Sequence, residues 1–271
     1  MDKPVNEELV TFEVVDDIAL VGLNRPDKRN AVSDRVIDAL AVCISRAERE
    51  AKAAVLFGEG KHFCAGLDLA EHAERSAIEG VRHSRGWHQV FSRIEFGMIP
   101  WISALHGAVV GGGLELAAST HIRVADSSAF MALPEGQRGI FVGGGGSVRI
   151  ARLIGVARMM DLMLTGRSLS AEEAEGCNLA QYVVPEGAAK AKAVELAKAA
   201  ASNAELSNYA IIQALPRIQD MAREDGLFVE SFVASFTQNG PEAKARLQAF
   251  LDKRAGKVRN PNDLGQDGGS Q

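Results

Sequence analysis

Two glutamates set in glycine-marked turns are the residues of this chain best suited to chemistry. Glu115 closes the run Val110-Gly111-Gly112-Gly113-Leu114-Glu115, and Glu135 lies in Leu133-Pro134-Glu135-Gly136. A further glycine run, Gly143 to Gly146, follows, and the element Phe63-Cys64-Ala65-Gly66-Leu67-Asp68 stands upstream. Two carboxylates divide the work of acid and base when their surroundings drive their pKa values apart. Glycine turns that lead into helices aim backbone N–H groups at developing negative charge. Together they point to proton chemistry beside a polarised carbonyl. An isolated helix Glu is ordinarily a solvated or ion-paired surface group. Glu115, however, sits between three glycines and the apolar Leu116-Ala117-Ala118.

The elements that must position these groups alternate between strand and helix. Residues 10–15 and 18–23 have strand patterning, and Asn24-Arg25-Pro26-Asp27 is a turn. Ser33 is placed to cap a helix whose apolar positions, Val36, Ile37, Leu40, Cys43 and Ile44, have helical spacing. A short buried strand is predicted over 53–58, then a polar helical stretch from Asp68 to about Phe96, ended by Pro100. Strands follow at 101–105 and 122–125, with a helix led in by Gly111 to Gly113 between them. Such alternation predicts an α/β fold of parallel strands joined by crossover helices. Beyond about residue 146 the pattern is mainly helical, at 148–154, 158–164, 171–175, 188–201 and 205–255, with a brief extended piece at 182–184. Leu227, Phe228, Phe232, Phe236, Leu247 and Phe250 on the late helices need a partner surface, either the core or another subunit. Residues 260–271 have the composition of a disordered tail.

Composition narrows the function classes. The 271 residues carry a formal charge of −5 and are 46% hydrophobic, so a sizeable core is affordable and no basic field for nucleic acid exists. The first eight residues are polar and acidic, unlike a secretory or transit leader, and no apolar run approaches the ~20 residues that span a bilayer. Cys43, Cys64 and Cys177 are scattered, which argues against disulfides or a zinc site and for free thiols in a reducing cytoplasm. The run 143–146 lacks the Gly-Lys-Ser/Thr ending of a phosphate loop, so nucleotide hydrolysis ranks low.

Read in order, several segments resemble the crotonase superfamily, the enoyl-CoA hydratase/isomerase proteins. They are Leu23-Asn24-Arg25-Pro26, Asn30-Ala31-Val32-Ser33, Phe63 to Leu69, Gly111 to Ala117, Pro134-Glu135, Gly143 to Gly146, Leu164 to Arg167, Ala171 to Ala174 and Phe250 to Arg254. The likeness covers roughly residues 10–257; no single piece is specific, and their order carries the weight. It implies a spiral of ββα repeats over 1–200, a C-terminal helical trimerisation region over 201–257, and a tail at 258–271. It also implies a homotrimer or a homohexamer built as a dimer of trimers.

By the same resemblance, Glu115 and Glu135 are the two catalytic glutamates. They hold one water over the Cα=Cβ bond of an enoyl thioester, with Glu115 mainly as base and Glu135 delivering a proton to the α-carbon. The backbone N–H groups of Leu67 and Gly112 match the oxyanion hole, and Gly143 stands near the water and the α-carbon. Coenzyme A, as part of the substrate, is expected along Lys28, Arg29, Ala65, Asp68 and Leu69, with Lys253 reaching a phosphate. No metal or separate cofactor is implied. Val142 replaces the proline usual before Gly143, so Phe141 and Val142 either reshape the acyl pocket or belong to the core. His121 stands where many members carry an aspartate, and a structural role is expected for it. Trp87-His88-Gln89 resembles a stretch of the 4-chlorobenzoyl-CoA dehalogenases, but the nucleophilic aspartate of those enzymes is absent at Gly143. Trp87 and His88 then remain candidates to line the acyl pocket, a satisfied helix histidine being the plainer reading of His88. Hydration is the reaction these residues favour. Δ3,Δ2-isomerisation and thioester hydrolysis are rival reactions, and RNA binding, known among relatives, is disfavoured by the acidic balance.

Overall fold

The computed structural model of the chain describes residues 9–69, 75–252 and 254. The expected tail at 258–271, the first eight residues and Lys253 lie outside that range. Strands β1 (Val10–Val15) and β2 (Ile18–Leu23) form an antiparallel hairpin with Val10 opposite Leu23. Asp16 and Asp17 join them, both in the left-handed region (φ 51° and 64°) that a two-residue hairpin turn demands.

From β2 onward the chain winds as a spiral. Each turn lays down a strand of one sheet, then an extended segment of a second layer, then a helix. The first turn runs from β2 past Val32 to α1 (Asp34–Glu50). The second comprises β3 (Ala53–Gly58), the segment 64–67 and α2 (Ala77–Glu95). The third comprises β4 (Trp101–Leu105), β5 (Ala108–Val110) and α3 (Gly112–Ala117). The fourth comprises β6 (Ile122–Asp126), β7 (Phe130–Ala132) and α4 (Gly146–Ile154). Parallel bridges Val32–Leu67 and Cys64–Val109 tie successive turns in the second layer. The chain continues through α5 (Val156–Thr165), β8 (Ser168–Ser170), α6 (Ala171–Glu175), β9 (Tyr182–Val184) and α7 (Ala189–Ala201). The large sheet has the order β1-β2-β3-β4-β6-β9, parallel from β2 onward, and the small one β5-β7-β8.

Local chemistry explains these elements. Strands β3 and β4 are buried at every position, which is why they are continuous apolar runs rather than alternating ones. Helix α1 buries Val36, Ile37, Leu40, Cys43, Ile44 and Ala47, an apolar stripe at helical spacing. Helix α7 lays Ala189, Ala193 and Ala197 against Val55, Ile102 and Val124, small residues that let helix and sheet approach closely. Helix α2 starts at Ala77, later than the expected start after Asp68, because Ser76 and Glu79 form a capping box there. His121 has the structural role expected of it: Nδ1 accepts from the Trp101 N–H at 2.9 Å, leaving Nε2–H to donate to the Glu95 carbonyl at 3.2 Å.

The chain divides into two compact units at Leu215/Pro216, inside α8 (Glu205–Ile218) and later than the 200/201 boundary expected. The second unit carries α9 (Arg223–Gln238) and α10 (Pro241–Leu251). Phe228, Phe232 and Phe236 of α9 lie exposed at helical spacing, and Phe228 and Phe232 meet edge to face at 4.8 Å. No described helix is long and apolar enough to cross a membrane.

Candidate active site

Helix α3 carries Glu115 into the core. Gly111 caps it at φ 54°, and Gly113 packs so close to Cys64 that a Cβ there would stand 2.8 Å from Sγ. The buried Glu115 is received by the glycine run: its Oε1 accepts from the N–H groups of Gly144 and Gly146, both at 2.8 Å. A Cβ on Gly146 would come within 2.9 Å of Glu115 Cγ, so the carboxylate occupies the space two missing side chains leave. Arg149, itself buried, holds the run in place. Its Nη1 donates to the Gly144 carbonyl at 3.0 Å, Nη2 to Ser92 Oγ at 3.1 Å, and Nε to Glu95 Oε2 at 2.6 Å. Ser84 Oγ adds a 2.6 Å bond to the Gly143 carbonyl.

Glu135 opens the 3-10 turn Gly136–Arg138 and is nearly as buried, yet its Oε2 has no hydrogen-bond partner among the described residues. Burial raises the pKa of both carboxyls, with different opposition. For Glu115 the N–H groups of Gly146, Gly144 and Gly143, together with Arg149, favour the ionised form. Glu135 is pushed up to about 7, first by burial and then by the charge of Glu115, against its own backbone N–H and Arg138. Both carboxyls are thus held above the usual carboxylate range, and they differ in their partners: two amides reach Glu115 Oε1, while Glu135 Oε2 meets none among the described residues.

The N–H groups of Leu67 and Gly112 lie side by side. A Cβ on Gly112 would stand 3.7 Å from the Leu67 nitrogen, and one on Gly66 3.5 Å from the Gly112 nitrogen. Gly66 at φ 97° turns the chain so that its own carbonyl accepts from Val32 while the Leu67 N–H points elsewhere. Neither amide donates to another group of the chain among the described residues. These two amides, both carboxyls and Gly143 border one cavity of about 450 Å³, whose other walls include Trp87, Ile140 and Phe141. The arrangement can polarise a carbonyl while exchanging protons with atoms beside it.

Three of the expected contact residues have surroundings of their own. Asp68 turns its carboxylate inward: it is buried, 2.9 Å from Arg25 and 3.4 Å from Lys28, and so staples the 25–31 loop to the segment carrying Leu67. His88 does not line the cavity; its Nε2 lies 3.4 Å from Ser84 Oγ, behind the cavity wall, and burial lowers its pKa. Val142 is buried and also absent from the lining, whereas Phe141 is in it. Lys28, Arg29 and Leu69 are exposed on the stapled loop pair, and Ala65 donates its N–H to the Arg29 carbonyl there. Residues not singled out beforehand are Gly80, His83 and Ser84, all in the wall. His83 Nε2 meets Asp34 Oδ1 at 2.7 Å, and its ring lies 5.3 Å from Trp87. Their signal was the helical spacing 80, 83, 84 with Trp87 on a helix facing the glutamates. Among the described residues no group of His, Cys, Asp and Glu is arranged to hold a metal.

A family model described as Enoyl-CoA hydratase/isomerase matches residues 13–260. The chain belongs to that family, the crotonase superfamily. Enoyl-CoA hydratase EchA19 of Mycobacterium tuberculosis is 30% identical over 246 residues, covering 89% of this chain and 92% of the relative. Short-chain-enoyl-CoA hydratase of Clostridium acetobutylicum is 32% identical over 248 residues, with 90% and 95% covered. A solved structure from Rhodopseudomonas palustris CGA009 superposes with a TM-score of 0.90 at 50% identity, over 94% of this chain and 99% of that one. The crotonase spiral therefore describes the architecture above.

Proposed function

We propose that the protein hydrates trans-2-enoyl-CoA thioesters. The thioester oxygen accepts from the Leu67 and Gly112 amides, which favour the enolate-like charge that forms when the β-carbon is attacked. Glu115, its Oε1 held by the amides of Gly144 and Gly146, acts as the base and takes a proton from water as the water oxygen bonds to the β-carbon. Glu135 gives its proton to the α-carbon, the C=C π bond is lost, and one water has been added. Exchange with solvent then returns the two carboxyls to their starting states. The observation that carries this reading is the contrast between two neighbouring buried carboxyls, one bound by two amides and the other with an unpartnered oxygen and a pKa of about 7. Isomerisation needs a single proton shuttle and leaves the second carboxyl idle. With this reading go an acyl-CoA substrate, no separate cofactor, a cytoplasmic location and a homotrimer or homohexamer.

The test is product mass after incubation with crotonyl-, 3-enoyl- and cinnamoyl-CoA. A gain of one water with CoA retained is expected, and Glu115→Gln and Glu135→Gln should each lower kcat at least ~10²-fold. Free CoA would move the assignment to thioester hydrolysis, and a shifted double bond at constant mass to isomerisation.

A further inference from the structure

Helix α2 presents one face to the cavity, and on that face Gly80 falls in helical spacing with Ser84 and Trp87. Glycine is a poor helix former, so its place within the first turns of a 19-residue helix calls for a reason. Among the described residues a Cβ built on Gly80 meets nothing within 4 Å, whereas one on Gly112 would stand 3.3 Å from Trp87 and one on Gly144 3.0 Å from Phe91. The described residues leave open space beside Gly80, on a wall of the cavity that holds both carboxyls. Much of the rest of that wall is apolar: Leu67, Trp87, Ile140 and Phe141, the last two 46% and 69% exposed. Beside these, Arg75 and His83 both bond to Asp34. The cavity of about 450 Å³ includes the reaction site bordered by Leu67, Gly112 and both carboxyls, and lies in the range of sites that enclose whole small molecules.

We propose that this site takes acyl groups longer or bulkier than four carbons, with an apolar tail lying along Gly80 against Trp87, Ile140 and Phe141. The proposal deepens the hydratase reading by naming its substrate class, and rests on it only for the double bond. The tail pocket is tested by binding, which needs no turnover. Burying a methylene strengthens binding roughly fourfold, so octanoyl-CoA should bind the full-length protein at least ~10-fold more tightly than butyryl-CoA in calorimetry. Gly80→Leu fills the space and should bring that ratio to about threefold or less. Gly80→Ala, a smaller change that favours the helix, should lower it part-way and decides the matter if the leucine variant does not fold. Equal affinities in the wild type, or an unchanged ratio in the folded variants, would overturn the proposal. Parallel kinetics with 2-butenoyl-, 2-octenoyl- and cinnamoyl-CoA separate linear from ring-bearing tails. If octanoyl-CoA is preferred and no enoyl-CoA is hydrated, the tail pocket stands and the hydratase reading falls.

Discussion

At the scale of single residues, Glu135 sets the terms. Its pKa of about 7 means that kcat should fall as pH rises through that value and the proton for the α-carbon is lost. The same shift bears on stability. A carboxyl whose folded pKa is raised is more costly to ionise in the fold than in the unfolded chain. The resulting stability is fully present below the unfolded value of 4.5 and lost as pH rises through about 7. Glu135→Gln should therefore unfold at higher urea than the wild type at pH 8.5, by up to on the order of 3 kcal/mol, with little difference at pH 4.5. An unchanged midpoint at pH 8.5 would mean that Glu135 is not held as an uncharged acid. The carboxyl types and their glycine settings were legible in the sequence, as was the family pattern that pairs them. Their unequal hydrogen bonding was not, because it arises from Gly144 and Gly146 amides brought from a distant turn and from the missing partner at Glu135 Oε2.

At the scale of elements, the site is a meeting of turns. Gly145 has φ 99°, and a Cβ there would collide with the Arg149 guanidinium that anchors the Gly144 carbonyl. Gly145→Ala should displace both amides from Glu115 and lower kcat by about 10²-fold, the effect expected for losing a preorganised donor, with smaller change in KM. Steady-state kinetics on the folded variant check this, and a kcat near wild type would show that the run tolerates the distortion. The sequence marked the long strands and helices through their apolar periodicity, since parallel strands are buried on both faces and α1 on one. It did not mark β5, β7 and β8, which have three residues each, too few for a period to register. The Arg25–Asp68 staple was also out of reach: those residues are far apart in the chain, and only the fold reveals that Asp68 faces protein. His88 was singled out on a local motif, while the helical phase of α2 gives the cavity wall to His83 and Ser84 instead.

At the scale of the whole molecule, the exposed ring stripe of α9 is where the proposed homo-oligomer can be tested. Phe228, Phe232 and Phe236 expose well over half their surface on one chain, more than isolated apolar residues would explain. Phe232→Asp is expected to shift light-scattering mass from a trimer or hexamer towards the 28.9 kDa monomer; an unchanged mass would remove this helix from the interface. The spiral has a consequence of another kind. The main-chain amide of Leu67 survives every codon change except one to proline, whereas Gly112, Gly144 and Gly146 have little room for a Cβ. Heritable variation at Leu67 can therefore reshape the cavity wall without removing the amide that borders it. Such a scaffold can drift among substrates while its chemistry stays fixed.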